Sequence, residues 1–230
     1  MNISTFSGSL RRGEWIRDIW SWLFLLVMVL FFEIWAQVIY SSSFLFNGFN
    51  VQSILIFATA PLLLGIGQSL VIISGGIDLS VGFVMGLSAV VLATVVQSFS
   101  GEAHGLALAI GILITFLVCL IPGLINGLLV TKLKVPPFIG TLGMYGVARG
   151  SGFIIADGMT VPVDNDWLYK LGTGKILGIP IVVLIVIVVV IIFHFILSQT
   201  KFGQYTYAIG GNREAAIRSG INVDRQDRKS

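Results

Sequence analysis

Charge is scarce in this sequence: 11% of the residues are Asp, Glu, Lys or Arg, against about 25% in an ordinary soluble domain. With 56% hydrophobic residues and a mean hydropathy of +0.96, the chain cannot cover itself with polar surface in water. Cysteine occurs once, as Cys119 within an apolar run, so these 230 residues can form no intramolecular disulfide and indicate no Cys-based metal site. No nucleophile motif, zinc spacing or phosphate-binding glycine loop is present, so no enzyme activity is expected, no cofactor or metal is implied, and the chain cannot use ATP by itself. A soluble domain, a low-complexity tract and a clear internal repeat are also lacking. The net charge of +3 and the pI near 9.2 do not indicate nucleic acid, because the basic residues do not share one compact polar domain.

What is present is apolar sequence gathered into long runs. At 1.5 Å per helical residue a hydrocarbon core near 30 Å thick needs about 20 residues. Six segments come close to this: 19–40, 54–74, 81–97, 106–130, 138–156 and 176–197. The expected fold is an all-α polytopic bundle of about six spans. It divides into an N-terminal tail (1–18), a transmembrane part (19–198) and a C-terminal tail (199–230). Arg11, Arg12 and Arg17 precede the first run as in a signal peptide, but the run continues for roughly 20 residues without an A-x-A-like site, which reads as an uncleaved span. The fifth segment is the least apolar, being glycine-rich and containing Arg149. The sixth is rich in β-branched residues that favour strands in water, but in lipid only a helix of that length satisfies its own backbone.

Cations between the spans set an orientation. With six spans, Arg11, Arg12, Arg17, Lys132, Lys134, Lys201, Arg213, Arg218, Arg225, Arg228 and Lys229 fall on one side, and only Lys170 and Lys175 on the other. Both termini are therefore expected in the cytoplasm. The longest external connection, 157–175, holds Asp157, Asp164, Asp166 and Trp167 and reads as a solvated link or as a docking surface for an external partner.

Two polar stretches stand out. In SGGIDLSVG, residues 74–82, Gly75 and Gly76 permit a helix break, and Asp78 can accept from the free amides of a helix beginning at Leu79, beside Ser80. A carboxylate there also complements the helix dipole. The stretch is either a capped cytoplasmic turn or a discontinuous helix facing a pathway. In the second stretch Asn212 is an expected N-cap, followed by Arg213, Glu214 in the first turn, Ala215, Ala216, Ile217, Arg218 near the last turn, Ser219, and Gly220 as the left-handed cap. This is a short helix with too few apolar residues to build a core. Two turns without a packing partner are marginal in water, so it either docks on a partner or is a frayed tail held to anionic lipid.

Glu33, Gln37, Gln68, Asn126 and Arg149 lie at membrane depth, where polar side chains usually face a bundle interior. Each is a pathway candidate, although Glu33 and Gln37 also suit a solvated place near the outer interface. GxxxG pairs at Gly82/Gly86, Gly123/Gly127 and Gly146/Gly150 are expected as packing aids. Pro61, Pro122, Pro136 and Pro137 mark kinks or ends of spans. The ionisable residues Glu33, Asp78 and Arg149 also admit a self-sufficient secondary transporter or channel.

SGGIDLSVG, then PPFIGTLGMYGVARG (136–150) and GGNREAAIRSGINV (210–223), in that order, resemble the permease subunits of ribose-type bacterial importers for monosaccharides that are driven by ATP-binding-cassette subunits. The resemblance implies a type II-like all-helical permease in the bacterial inner membrane, paired with a second permease. Two ATPase modules would lie inside and a periplasmic sugar-binding protein outside. It implies that residues 212–220 are the coupling helix that fits the ATPase. It also implies a continuation of about four spans, each of about 20 apolar residues, beyond the coupling segment. This chain ends in VDRQDRKS, and a truncated or frameshifted product is expected.

Overall fold

The computed structural model describes residues 7–99 and 104–223, with the backbone alone over 7–18. The side chains of Arg11, Arg12 and Arg17, and all of Arg225, Arg228 and Lys229, lie outside the described residues. In chain order the elements are α1 (Ser7–Tyr40), α2 (Gly48–Ile73), α3 (Val81–Ser98), α4 (His104–Thr131), α5 (Pro137–Ile155), α6 (Asp166–Thr173), β1 (Lys175–Ile176), β2 (Ile179–Pro180), α7 (Ile181–Gln199), α8 (Lys201–Gly211) and α9 (Arg213–Arg218). Among the described residues the fold is all-α apart from one two-stranded antiparallel hairpin.

Among the described residues, five helices are long and apolar enough to cross a membrane: Ile19–Tyr40 of α1, then α2, α3, α4 and α7. The fifth expected span is present as α5, but with Thr141, Arg149 and several glycines it lacks the apolarity of the others. Its burial compensates: α5 packs against both α3 and α4 and encloses Gly140, Thr141, Met144, Ala148 and Gly152. Elsewhere large apolar side chains remain exposed along α1, α2, α4 and α7, as expected where lipid is the solvent.

The chain forms two compact units, Met1–Leu55 and Ile56–Ser230. In the first, the connection after α1 is held by side chains. The Glu33 carboxylate accepts from the amides of Phe44 (2.8 Å) and Leu45 (2.9 Å), from the Ser43 hydroxyl and from Gln37. Asn47 caps α2, its side-chain oxygen accepting from the amides of Phe49 and Asn50.

In the second unit the helices run alternately. The end of α2, the start of α3, the end of α4 and the start of α5 lie at one end, tied by bonds from Ser80 to Asn126 and from Leu79 to Thr141. At the other end Asn165 donates its amide to the His104 carbonyl and caps α6. The connection 157–175 is thus not merely a solvated link; α6 packs on α4 and α7. From there α7 returns, and α8 brings Gly210 so close to the Ile73 carbonyl at the end of α2 that a Cβ would overlap it.

Three expectations need correction. The last span begins at Ile181 and not at residue 176, because Leu177 and Gly178 adopt left-handed conformations that turn a hairpin. Gly82, Gly86, Gly123, Gly146 and Gly150 of the GxxxG pairs have nothing within 4 Å of an added Cβ. The intimate contacts fall to other glycines: Gly111 against Leu92 and Val96, and Gly203 against Leu197. The last helix, α9, does have a packing partner, since Ala216 is buried with Ile209 of α8 and Val223.

Candidate functional site

The site is built on the break between α2 and α3. Gly75, at φ +86°, donates to Ile72, and Gly76 donates to Val71 at 2.8 Å. These nested bonds form a Schellman motif that ends α2 at a glycine with no steric penalty for the left-handed conformation. The chain then leaves helical structure through a short connection, and α3 begins at Val81 with Ser80 as its N-cap residue. The expected helix start at Leu79 is therefore two residues early, and Asp78 does not cap the helix. Its carboxylate instead closes a local turn, accepting from the Ser80 amide (2.7 Å) and the Ser80 hydroxyl (2.6 Å).

Neighbouring helices clamp this connecting segment. Asn126 donates its side-chain amide to the Ser80 hydroxyl oxygen at 3.1 Å. Thr141 accepts from the Leu79 amide at 3.2 Å and donates to the Pro137 carbonyl at 2.8 Å. Ser80, Asn126 and Thr141 are all buried, where an unmade hydrogen bond is costly. Asn126 Oδ1 and Gln68 Oε1 are among four buried side-chain oxygens, with the Thr94 and Thr115 hydroxyls, that have no protein partner among the described residues.

Beside this knot lies a cavity of about 600 Å³. Gly75, Gly76, Asp78, Asn126, Thr141 and Arg213 are among its lining residues. The two sequence stretches, which are more than a hundred residues apart, thus meet at one cavity through Asp78 and Arg213. Ser80 stands directly behind it, bonded to both Asp78 and Asn126.

The remaining α9 residues have the expected local geometry. Asn212 accepts from the Ala215 amide at 3.0 Å, Glu214 lies in the first turn, and Arg218 reaches Glu214 at 3.6 Å. Gly220, at φ +82°, donates to Ile217, and Ile221 donates to Ala216, forming a second Schellman cap. Ser219 bonds back to Ala215. Glu214, Ala215, Ile217 and Arg218 are exposed, whereas Ala216 faces inward.

Three candidates do not join the site. Glu33 belongs to the first unit, where its carboxylate is committed to the connection after α1. Gln68 lies on α2 but is not among the residues around the cavity. Arg149 is exposed on α5 with its guanidinium over the Phe83 ring, 5.6 Å from the centroid, and Phe83 in turn meets Tyr145 edge-on. Sequence reasoning missed Thr141; the available signal was a hydroxyl four residues after Pro137 in an otherwise apolar run.

A family model described as branched-chain amino acid transport system / permease component matches residues 50–227, from α2 through α9. The chain belongs to this permease family. Among other family relatives, it is 38% identical to a ribose import permease protein of Bacillus subtilis over 71% of this chain and 49% of that protein. It is 32% identical to an L-arabinose ABC transporter permease protein of Azospirillum brasilense, over 76% of this chain and 50% of that one. It is 33% identical to a D-allose transport system permease protein of Escherichia coli, over 76% and 52%. The chain spans about half the length of the curated relatives it matches. No solved structure matches it.

Proposed function

We propose that the chain is the membrane-spanning permease component of an ATP-driven monosaccharide importer in the bacterial inner membrane, with ATP hydrolysis on a separate subunit. The observation that carries this reading is the cavity shared by Asp78 and Arg213. It joins the break between two spans to a helix whose outer face is exposed and capped at both ends. Such a helix suits a docking role: displacing it would act directly on the Gly75 turn. The sugar class rests on the ribose, L-arabinose and D-allose permeases that the chain resembles.

In this reading residues 212–220 form the coupling segment, and both tails face the cytoplasm. Lys132, Lys134, Lys201, Arg213 and Arg218 gather at the end of the second unit that carries α8 and α9, and Lys170 and Lys175 lie at the opposite end. That asymmetry supports the orientation. A second permease and an external sugar-binding protein complete the assembly. A self-sufficient ion-coupled transporter is the weaker reading, because the two carboxylates that suggested it, Glu33 and Asp78, are engaged in local turns.

Co-purification with the ATP-binding subunit tests the proposal. Glu214→Lys and Arg218→Glu reverse charges on exposed side chains whose mutual bridge contributes only about 0.3–0.5 kcal/mol, so the fold should survive. Each variant is expected to lose most of the associated ATPase. Wild-type association in both would refute the assignment.

A further inference from the structure

The β1–β2 hairpin has an unusual tip. Ile176 pairs with Ile179, leaving Leu177 and Gly178 as the two turn residues. Both have positive φ, +51° and +81°, the pattern of a type I′ turn, in which Asn, Asp or Gly is normally found at the first position. Leucine there incurs a steric penalty that those residues avoid. Its side chain also gains nothing from the rest of the protein, being 98% exposed. A penalised, fully exposed leucine suggests an apolar medium outside the chain.

The neighbouring residues favour lipid as that medium. Trp167 and Tyr169 of α6 are exposed, and Ile176 is more than half exposed. Lys170 lies over the Trp167 ring at 5.6 Å. Trp, Tyr and Lys are the side chains that settle at the boundary between headgroups and hydrocarbon. The hairpin is also fixed in position relative to that boundary. Ile181 donates its amide to the Gly174 carbonyl, and β2 leads through Pro180 into α7, the most apolar of the spans. Leu177 is therefore only four residues from the start of a membrane-crossing helix.

We infer that α6 and the hairpin form an interfacial anchor, with Leu177 and Ile176 entering the lipid at the membrane face where α7 begins and Trp167, Tyr169 and Lys170 seated among the headgroups. This role is independent of the transport reading and holds for any cargo.

The test uses the full chain in phosphatidylcholine–phosphatidylglycerol nanodiscs, with Cys119→Ala and an environment-sensitive fluorophore on Leu177→Cys. The reference is the same fluorophore on Asp164→Cys, in the loop before α6. The probe at 177 is expected to emit further to the blue than the reference, to be quenched by lipids carrying a nitroxide near the top of the acyl chain, and to be several-fold less accessible to aqueous iodide. Labelling Ile176→Cys provides an independent second position. In that background Leu177→Asn, which suits the turn better than leucine, should move the 176 probe toward water without opening the hairpin. Equal emission and equal iodide quenching at 177 and 164 would overturn the inference. So would protection that arises only when a soluble partner protein is added, which would make the tip a protein-docking element.

Discussion

Asn126 on α4 donates its side-chain amide to the hydroxyl oxygen of Ser80, 3.1 Å away at the start of α3, and both residues are buried. The Ser80 hydroxyl in turn donates a hydrogen bond to the Asp78 carboxylate, so a span, a helix start and a loop carboxylate form one bonded row. Ser80→Ala or Asn126→Ala is expected to cost about 1–3 kcal/mol by leaving a buried partner unsatisfied. The double variant should cost less than the sum by about 1 kcal/mol, because the shared bond can be lost only once. Unfolding in detergent measures this, and strict additivity would mean that the bond is not made.

Gly210 and Gly211 are adjacent yet differ in surroundings. A Cβ on Gly210 overlaps the Ile73 carbonyl, whereas Gly211 has nothing within 4 Å. Gly210→Ala should therefore push α8 off the end of α2, at about 1–3 kcal/mol or more as in other overpacked sites. Gly211→Ala should be near neutral. Thermal unfolding of the two variants side by side tests the contact, and equal behaviour would contradict it.

Gly75 needs its left-handed backbone, so Gly75→Ala should destabilise by about 1–2 kcal/mol. Gly86, inside α3 with open space around it, should tolerate alanine or gain about 0.5–1 kcal/mol from reduced backbone entropy in the unfolded chain. Measured stability that ranks the pair in the opposite order would refute both assignments.

Glu33→Gln removes the charged acceptor that the Phe44 and Leu45 amides share. Those two amides should exchange with solvent markedly faster in the variant, and protease sensitivity across residues 41–47 should rise. If exchange there is unchanged, the carboxylate does not organise the connection.

The long helices were legible because lipid simplifies the code: an apolar run of sufficient length has no other way to satisfy its backbone. The expected segments 81–97 and 106–130 differ from α3 and α4 by two residues or fewer at each end. The caps at Asn212 and Gly220 were legible as well, since their chemistry is local. What was missed depends on neighbours. The glycines and aromatic residues of α8 give no apolar period, and its position rests on Gly203 closing against the end of α7 at Leu197 and on Gly210 meeting the distant backbone of Ile73. Ile176 and Leu177 read as the start of a span because they are apolar; only the positive φ of Leu177 and Gly178 separates them from it. Asp78 was assigned to the correct loop and does accept from the Ser80 amide, but as a turn before the helix and not as its cap, because the register of a helix start depends on Asn126 and Thr141 on other helices.

With hydrogen in place of a side chain at residue 210, nothing compressible separates α8 from the Ile73 carbonyl. Side chains at such a junction would act as springs and take up small displacements by changing rotamer. Here the joint has no such slack, so under the proposed coupling role a load on the Asn212 end would pass to the neighbouring turn as movement.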